Sequence, residues 1–211
     1  MKGLYLVTDR DLCGARPLEE VVLLSVRGGA ACVQIREKNL STRAFIEEAL
    51  RIKEILAPFG VPLIINDRVD VALAVRADGV HVGQDDMPYE TVRRLMAPGA
   101  LIGLSVEAWE DVERAEALDV DYLGVSPVFE TPTKTDTKGS WGIEGIERIR
   151  AFSRHPLVAI GGMNPSNAGA AVRAGADAVA VVSAVCAAPD PMQVSRDLSR
   201  IIEAARKERR P

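Results

Sequence analysis

Eight short apolar segments, separated by stretches with helical periodicity, constrain the fold of this 211-residue chain more than any other feature. Each segment is rich in Val, Ile and Leu and is apolar at consecutive positions, which is typical of a strand buried on both faces of a parallel sheet. The segments are Leu4–Val7, Cys32–Ile35, Leu63–Ile65, Val80–Val82, Leu101–Leu104, Tyr122–Val125, Leu157–Ile160 and Ala178–Val182. Because strands that alternate with helices pair in parallel, the pattern predicts an α/β fold.

Amphipathic helices are predicted between these segments. Residues 42–56 place Phe45, Ala49 and Ile52 on one stripe, with Ser41 as the N-cap. Similar patterns predict helices over Val106–Ala117, Ile143–Phe152, Pro165–Ala174 and Met192–Ala205.

A finer repeat lies where the helices lead into the strands. Three of these junctions contain a small or branched residue, an aspartate and then a buried strand, and the aspartates are Asp78, Asp121 and Asp177. Together with a similar junction at residues 29–33, they precede every second segment, so the repeat unit is a strand-helix-strand-helix quarter. Eight evenly spaced units favour closure into a (β/α)8 TIM barrel over an open, doubly wound sheet. We predict a single domain over residues 1–211, with 204–211 as a frayed tail.

Composition excludes several classes of protein. A formal net charge of -4 does not suit a broadly basic nucleic-acid surface, and no segment reaches the roughly 18–20 apolar residues of a membrane span. Three widely spaced cysteines without a CxxC pair suggest neither a disulfide framework nor a zinc site. We therefore expect a cytoplasmic protein that acts on small molecules, with a homo-oligomer left open.

Polar residues at the carboxyl ends of barrel strands are the first candidates for a site. The second segment leads into residues 34–38, where a period of two sends Gln34, Arg36 and Lys38 to one side of the strand. A guanidinium and an ammonium together suit phosphate oxygens. The alternative is a solvated rim of ion pairs with Glu37.

Carboxylates follow the third and fourth segments. Asp67 and Asp86 can converge on one Mg2+, which takes one or two carboxylates together with phosphate oxygens and water. Helix capping is the alternative for Asp67 and for Asp85 or Asp86. Ser105 is interpreted as either a helix cap or a substrate contact, and His81 as a packed or hydrogen-bonded strand residue.

A second group of candidates follows the sixth segment. Residues 126–140 form a long polar loop, a type that is usually functional or mobile. Thr131, Thr133 and Lys134 supply hydroxyls and a cation there. The alternative is a disordered surface loop.

The last two strands are followed by residues typical of a phosphate site. Gly161 and Gly162 follow the seventh segment, and Ser183 follows Val182 at the end of the eighth. Glycines at such positions let backbone N–H groups approach an anion. The chain thus offers a charged region suited to a Mg2+-bridged diphosphate and a neutral one suited to a monophosphate. Because no Cys-His or Ser-His-Asp arrangement is apparent, we expect diphosphate to depart as a leaving group.

Seven blocks of sequence, in this order, resemble the thiamine-phosphate synthase family over nearly the entire chain. They are LYLVTDR, VQIREK, INDRVDVALAVRADGVHVGQDD, IGLSV, DYLGVSPVFETPTK, VAIGGM and VVSAV. The resemblance implies a transferase that joins a hydroxymethylpyrimidine diphosphate to a hydroxyethylthiazole phosphate, or its carboxylated form. It also implies Mg2+-assisted, dissociative loss of diphosphate, with capture of a pyrimidine cation by the thiazole nitrogen. Ser126 departs from the family pattern, where glycine is frequent.

The resemblance implies a role for each candidate residue. The residues implied to stabilise the departing diphosphate are Arg36, Lys38 and Lys134. Those implied to hold the pyrimidine diphosphate are Gln34, Arg36, Lys38, Asn66, Ser105 and Lys134. Those implied to bind the thiazole phosphate are Thr131, Thr133, Gly162, Val182 and Ser183. Asp67 and Asp86 are implied to bind Mg2+.

Two alternative functions are considered. One is a thiazole tautomerase of the same superfamily, which resembles the synthase poorly at the diphosphate-binding residues. The other is a non-catalytic protein that binds phosphate ligands. The presence of Lys38, Asp67, Asp86 and Lys134 favours the transferase over both.

Overall fold

Eight parallel strands form a closed barrel in chain order in the computed structural model, which describes residues 1–130 and 139–209. The strands are β1 Gly3–Val7, β2 Ala30–Ile35, β3 Leu63–Asn66, β4 Gly79–Val82, β5 Leu101–Val106, β6 Tyr122–Val125, β7 Leu157–Ala159 and β8 Ala178–Val181. The barrel closes where β1 pairs with β8, with Leu4 opposite Val179. The predicted (β/α)8 barrel is therefore confirmed over the open sheet.

Helices cover the outside of the barrel. They are α1 Leu18–Arg27, α2 Thr42–Leu56, α3 Val69–Val75, α4 Tyr89–Leu95, α5 Trp109–Glu116, α6 Gly142–Phe152, α7 Ala168–Arg173, α8 Ser183–Cys186 and α9 Pro191–Glu208, with short 3-10 turns at Asp11–Cys13 and Ala57–Phe59. Helix α2 has the predicted bounds, and the Ser41 hydroxyl accepts a hydrogen bond from the Ala44 N–H at 3.3 Å.

Two helices begin later than predicted, and one ends later. Val106 extends β5 and pairs with Val125, so α5 begins only at Trp109. A turn closed by the Asn167 side chain precedes α7. Helix α9 continues to Glu208, inside the segment predicted to fray, and the Arg209 side chain beyond it bonds the Ala176 carbonyl at 3.2 Å.

Both faces of the strands are buried, which explains why the segments are apolar at consecutive positions. In β1, Leu4 and Leu6 pack against the surrounding helices, while Tyr5 and Val7 point into the barrel. All four side chains are buried. A strand packed on two sides therefore has no polar alternation to reveal its period.

The aspartates of the quarter repeat tie neighbouring strands together at the amino-terminal end of the barrel. Asp78, just before β4, accepts a hydrogen bond from the Leu63 N–H of β3 at 2.8 Å. Asp121 and Asp177, just before β6 and β8, do the same for β5 and β7 at 2.8 and 2.9 Å. Each carboxylate satisfies a backbone N–H at the start of the preceding odd-numbered strand, which gives the repeat a structural cause.

Candidate active site

A cavity of about 630 Å³ opens at the carboxyl ends of the strands. Ten of the predicted site residues line it, and they come from six of the eight strand ends. These ten are Gln34, Arg36, Lys38, Asn66, Asp67, Asp86, Ser105, Gly162, Val182 and Ser183. The other three, Thr131, Thr133 and Lys134, lie outside the described residues. Sequence positions up to 149 residues apart (Gln34 to Ser183) are thus brought to one opening.

The end of β2 has the alternation that the period of two predicts. Arg36 and Lys38 line the cavity, whereas the Glu37 side chain lies away from it, 5% exposed and 3.3 Å from Arg10. Burial raises the pKa of the Glu37 carboxyl, and the Arg10 guanidinium opposes that shift. Since Glu37 pairs with Arg10, the alternative of a rim of ion pairs between Glu37 and its two basic neighbours is wrong.

Asp67 and Asp86 form a carboxylate pair beside Lys38. The Lys38 Nζ lies 2.5 Å from Asp67 Oδ2, and Asp86 Oδ2 accepts a hydrogen bond from the Gly83 N–H at 2.7 Å. Burial raises the pKa of the Asp86 carboxyl, and the adjacent Asp67 carboxyl raises it further, against the Gly83 bond. The pair is therefore a site of crowded negative charge that Lys38 partly offsets.

Neither carboxylate caps a helix. The N-cap residues of α3 and α4 are Arg68 and Pro88, and neither end has a side-chain cap. Asp67 has a positive φ of 59°, a conformation uncommon outside glycine, and its N–H donates to the His81 carbonyl at 2.8 Å. The capping alternative is therefore wrong, and this backbone conformation places the Asp67 carboxylate at the rim.

Beneath the carboxylates, five side chains form a hydrogen-bonded series that we call the floor chain. Gln34 Nε2 donates to the Tyr5 hydroxyl at 2.7 Å, and the Tyr5 and Tyr122 hydroxyls are 2.9 Å apart. The Tyr122 hydroxyl lies 3.1 Å from Nδ1 of His81, whose Nε2 lies 2.9 Å from Ser105 Oγ. His81 is thus hydrogen-bonded, as predicted, and Ser105 faces the cavity rather than capping α5.

Sequence reasoning missed Tyr5 and Tyr122. Both are in apolar segments, and the inward period of β1 and β6 alone would have pointed to them. Two glycines make room for them: a Cβ at Gly103 would lie 2.1 Å from the Tyr122 ring, and one at Gly124 would lie 2.9 Å from the His81 ring. The aromatic floor therefore depends on missing side chains in β5 and β6.

On the opposite side of the rim, the described residues that line the cavity are uncharged. Gly162 and Ser183 line the cavity after β7 and β8, and Ser183 is the first residue of α8. The Asn164 and Asn167 amides donate to the Gly162 carbonyl at 3.1 and 3.0 Å, which fixes the loop. Backbone N–H groups and one hydroxyl are suitable partners for a phosphate.

The structure shows a steric reason for glycine at positions 161 and 162 that the sequence did not reveal. A Cβ at Gly161 would lie 2.5 Å from Cβ of Pro127, and one at Gly162 would lie 2.8 Å from Cβ of Phe129. The Phe129 N–H also donates to the Gly161 carbonyl at 3.1 Å. These glycines therefore allow the start of the loop after β6 to pack directly on the loop after β7.

Helix α5 forms a further wall of the cavity, which a search restricted to strand ends does not find. Arg114 of α5 donates to Gln84 Oε1 at 3.2 Å and pairs with Asp111 at 2.5 Å. Gln84 Nε2 in turn donates to the Ser105 carbonyl at 2.6 Å. This wall fixes the Ser105 carbonyl, whereas the floor chain holds the Ser105 hydroxyl.

Comparison with known proteins identifies the family. Residues 4–185 match the model of the family described as thiamine monophosphate synthase. The thiamine-phosphate synthase of Albidiferax ferrireducens is 56% identical over 201 residues, covering 95% of this chain and 92% of that protein. A Leptospira biflexa synthase is 50% identical over 199 residues, covering 92% and 95%. The thiamine phosphate pyrophosphorylase structure from Pyrococcus furiosus matches with a TM-score of 0.88 and 39% identity, covering 96% of each chain.

The chain belongs to the thiamine monophosphate synthase family. This confirms the predicted family and the predicted transferase, and the matches favour neither the tautomerase nor the binding protein. Enzymes of this family act on small molecules. Within residues 1–130 and 139–209, no helix is both long and apolar enough to cross a membrane. The residue roles, the oligomeric state and the cytoplasmic location stay predictions.

The carboxylate pair fits the magnesium ion implied for this family. Oxygen donors are the ligands that Mg2+ takes, and a divalent cation would favour the ionised form of Asp86, whose pKa is raised by burial and by the adjacent Asp67 carboxyl. Among the described residues, no group of three or more His, Cys, Asp or Glu side chains is arranged to hold a metal. Two carboxylates therefore suit an ion whose remaining ligands come from a substrate diphosphate and water.

Family membership also gives meaning to Ser126. This residue, which stands where glycine is frequent in the family, lines the cavity just after β6. Its N–H donates to the Val106 carbonyl at 3.2 Å, which fixes the strand end. Ser126 therefore lies at the same rim as the predicted site residues.

Proposed function

We propose that this chain joins a hydroxymethylpyrimidine diphosphate to a hydroxyethylthiazole phosphate, or its carboxylated form, and releases thiamine phosphate and diphosphate. The observation that supports this most directly is the convergence of Lys38, Asp67 and Asp86 on one side of a cavity whose other side carries Gly162 and Ser183. Strands β3 and β7 lie on opposite sides of the eight-stranded barrel. The cavity therefore offers a charged and a neutral phosphate-binding side facing each other.

Arg36 and Lys38 would hold the diphosphate. Arg36 forms no ion pair with another described residue, so its planar guanidinium is available for two phosphate oxygens. Lys38 lies between the diphosphate side and Asp67, where its ammonium can pass from the carboxylate to a phosphate oxygen. Lys134, which follows β6 in the sequence, would add a third positive charge.

Asp67 and Asp86 would bind the magnesium ion. When bound, Mg2+ neutralises negative charge on the diphosphate and helps it leave. Asp67 and Asp86 come from adjacent strand ends, after β3 and β4, so the barrel itself holds them together. Gly83 orients the Asp86 carboxylate through its N–H bond.

The reaction would need no nucleophile from the protein. The bond between the methylene carbon and the diphosphate oxygen breaks, its electron pair leaves with diphosphate, and the aminopyrimidine ring stabilises the resulting cation. The thiazole nitrogen then forms the new carbon–nitrogen bond, and the product thiazolium carries the positive charge. Arg36 and Lys38 act by stabilising the charge on the leaving group, an electrostatic effect.

The remaining candidate residues would hold the two substrates. Ser105 and Gln34 would hold the pyrimidine. The thiazole phosphate would be held by Thr131, Thr133, Val182 and Ser183.

The direct test is to incubate the purified protein with both substrates and Mg2+, and to follow thiamine phosphate and diphosphate together. We expect both products in equal amounts, and loss of both when EDTA removes the metal. Isomerised thiazole carboxylate phosphate without thiamine phosphate would identify a tautomerase. Binding of both ligands without turnover would identify a non-catalytic protein. Either of these two results contradicts the proposal.

A further inference from the structure

The floor chain connects two residues with implied substrate roles, Gln34 and Ser105, through three residues with none. Tyr5, Tyr122 and His81 come from β1, β6 and β4 and span the barrel interior beneath the cavity. Tyr5 and Tyr122 are each 1% exposed. Every hydrogen bond in such a buried series must have a donor and an acceptor, so the direction of one bond influences the next.

Gln34 fixes the direction at one end. Its amide nitrogen can only donate, so the Tyr5 oxygen is the acceptor of the 2.7 Å bond. Burial raises the pKa of both tyrosines well above the usual range, so each hydroxyl keeps its single proton. The Tyr5 proton is therefore left to bond elsewhere.

Two proton orders fit the remaining distances. In the first, Tyr5 donates to Tyr122, and Tyr122 donates to Nδ1 of His81. In the second, these bonds are reversed, and the Tyr5 proton turns to the Cys32 thiol beside it, a weak acceptor. Because a buried hydroxyl without a strong acceptor is costly, the first order is favoured.

The first order also determines the proton positions at the Ser105 end of the floor chain. A neutral imidazole that accepts a hydrogen bond at Nδ1 carries its own proton on Nε2. Nε2 of His81 lies 2.9 Å from Ser105 Oγ and therefore donates to it. Since that oxygen is already an acceptor, the Ser105 proton is left for a group in the cavity.

We propose that the floor chain is proton-ordered from Gln34 to Ser105, and that Tyr5 and Tyr122 are positioning residues that present the Ser105 hydroxyl to the cavity as a hydrogen-bond donor. Such a site selects a ring that places an acceptor, such as an unprotonated heteroaromatic nitrogen, against Ser105. A ring with a donor at that point would leave the Ser105 proton without its acceptor and should bind more weakly. The identification of this ring as the aminopyrimidine rests on the proposed function, whereas the proton order does not.

The proton order is measured by nitrogen NMR of the histidine side chains in the ligand-free protein, at a pH where the imidazole is neutral. The chain has two histidines, so either His155→Gln or His81→Gln assigns the signals. We expect His81 to be protonated at Nε2 and unprotonated at Nδ1. Protonation at Nδ1 instead, or at both nitrogens, overturns the proposal.

The variant Tyr122→Phe removes the donor to Nδ1 and should leave His81 as a mixture of the two neutral tautomers. Tyr89→Phe is the matched control, because the Tyr89 hydroxyl donates to the Asp119 carbonyl, away from the cavity lining. It should keep the wild-type tautomer. An unchanged tautomer in Tyr122→Phe contradicts the proposed positioning role.

Kinetics supply the second readout. Tyr122→Phe should raise the KM for the pyrimidine diphosphate by about fivefold to tenfold, which is one lost net hydrogen bond, with kcat and the KM for the thiazole phosphate near wild type. Equal KM values in Tyr122→Phe and Tyr89→Phe overturn the proposal. If the tautomer is as expected but no thiamine phosphate forms, the proposed function fails and the proton order stands. If thiamine phosphate forms but Nδ1 holds the proton, the order fails and the function stands.

Discussion

Aspartates at the two ends of the barrel have different roles. At the amino-terminal end, Asp177 accepts the Leu157 N–H and pairs with Arg150 and Arg209 at 3.2 and 3.3 Å. At the carboxyl-terminal rim, Asp67 crowds a second carboxylate and has Lys38 as its cation. Their side chains are similarly exposed, 19% and 21%, so burial does not separate the two roles. The two roles differ in whether the protein's own N–H groups and cations compensate the charge of the carboxylate.

The largest effect is expected from the rim. Asp67→Ala and Asp86→Ala should each lower the Mg2+-dependent coupling rate by about a thousandfold, since a bound metal supplies several kcal/mol of stabilisation. Asp86→Ala also leaves the Gly83 N–H without its acceptor and should lower the free energy of unfolding by about 1 kcal/mol. Steady-state rates with varied Mg2+ and urea unfolding measure the two quantities. Wild-type, Mg2+-dependent rates in both variants contradict the metal assignment.

The cation at the rim should come next. Lys38→Ala should slow diphosphate release in a single turnover by about a hundredfold, because the charge on the leaving group loses a preorganised partner. Lys207→Ala, at an exposed position of α9, is the matched control and should have no effect. If rapid-quench experiments give the same rate for Lys38→Ala and Lys207→Ala, Lys38 does not stabilise the leaving group.

At the amino-terminal end, substitution should affect stability rather than rate. Asp177→Ala leaves the Leu157 N–H without its acceptor and should lower the free energy of unfolding by about 2 kcal/mol. Asp177→Asn keeps an acceptor oxygen and should recover part of that loss. The kcat of both folded variants should equal that of the wild type. A lower kcat with unchanged stability would contradict the structural role of Asp177.

The smallest effect is expected from an aspartate on the surface. Asp70 pairs with Arg68 at 2.6 Å, but its side chain is 58% exposed. Asp70→Ala should change the free energy of unfolding by less than about 0.5 kcal/mol, because solvent screens such pairs. The coupling rate should also be unchanged. A loss as large as that of Asp177→Ala would show that exposure is a poor guide to these carboxylates.

The barrel could be predicted from sequence because its strands are buried on two sides and its quarters repeat. Asp78, Asp121 and Asp177 mark the repeat, and their bonds to neighbouring strands explain why the residue recurs. Boundaries were less certain: Val106 fits both the end of a strand and the start of a helix. Only its pairing with Val125 decides between the two.

Site residues could be predicted where the residue type and its position along a strand indicate the role. They were missed where the role depends on contacts with residues distant in the sequence. Arg36 and Lys38 follow from a period of two, and both line the cavity. Tyr5 and Tyr122 did not stand out, because only the folded barrel shows their hydroxyls 2.9 Å apart. For Asp67, capping and metal binding are equally compatible with spacing. Its backbone conformation and the Lys38 contact exclude the cap.

Gly103 and Gly124 have a consequence for the size of molecule that this protein can admit. A methyl group at position 103 would overlap the Tyr122 ring and come within 2.4 Å of Nδ1 of His81. Any larger residue there would displace both rings and change the shape of the cavity floor. The shape of the floor, and with it the ring-bearing compound that fits, therefore depends on two amino acids that have no side chain at all.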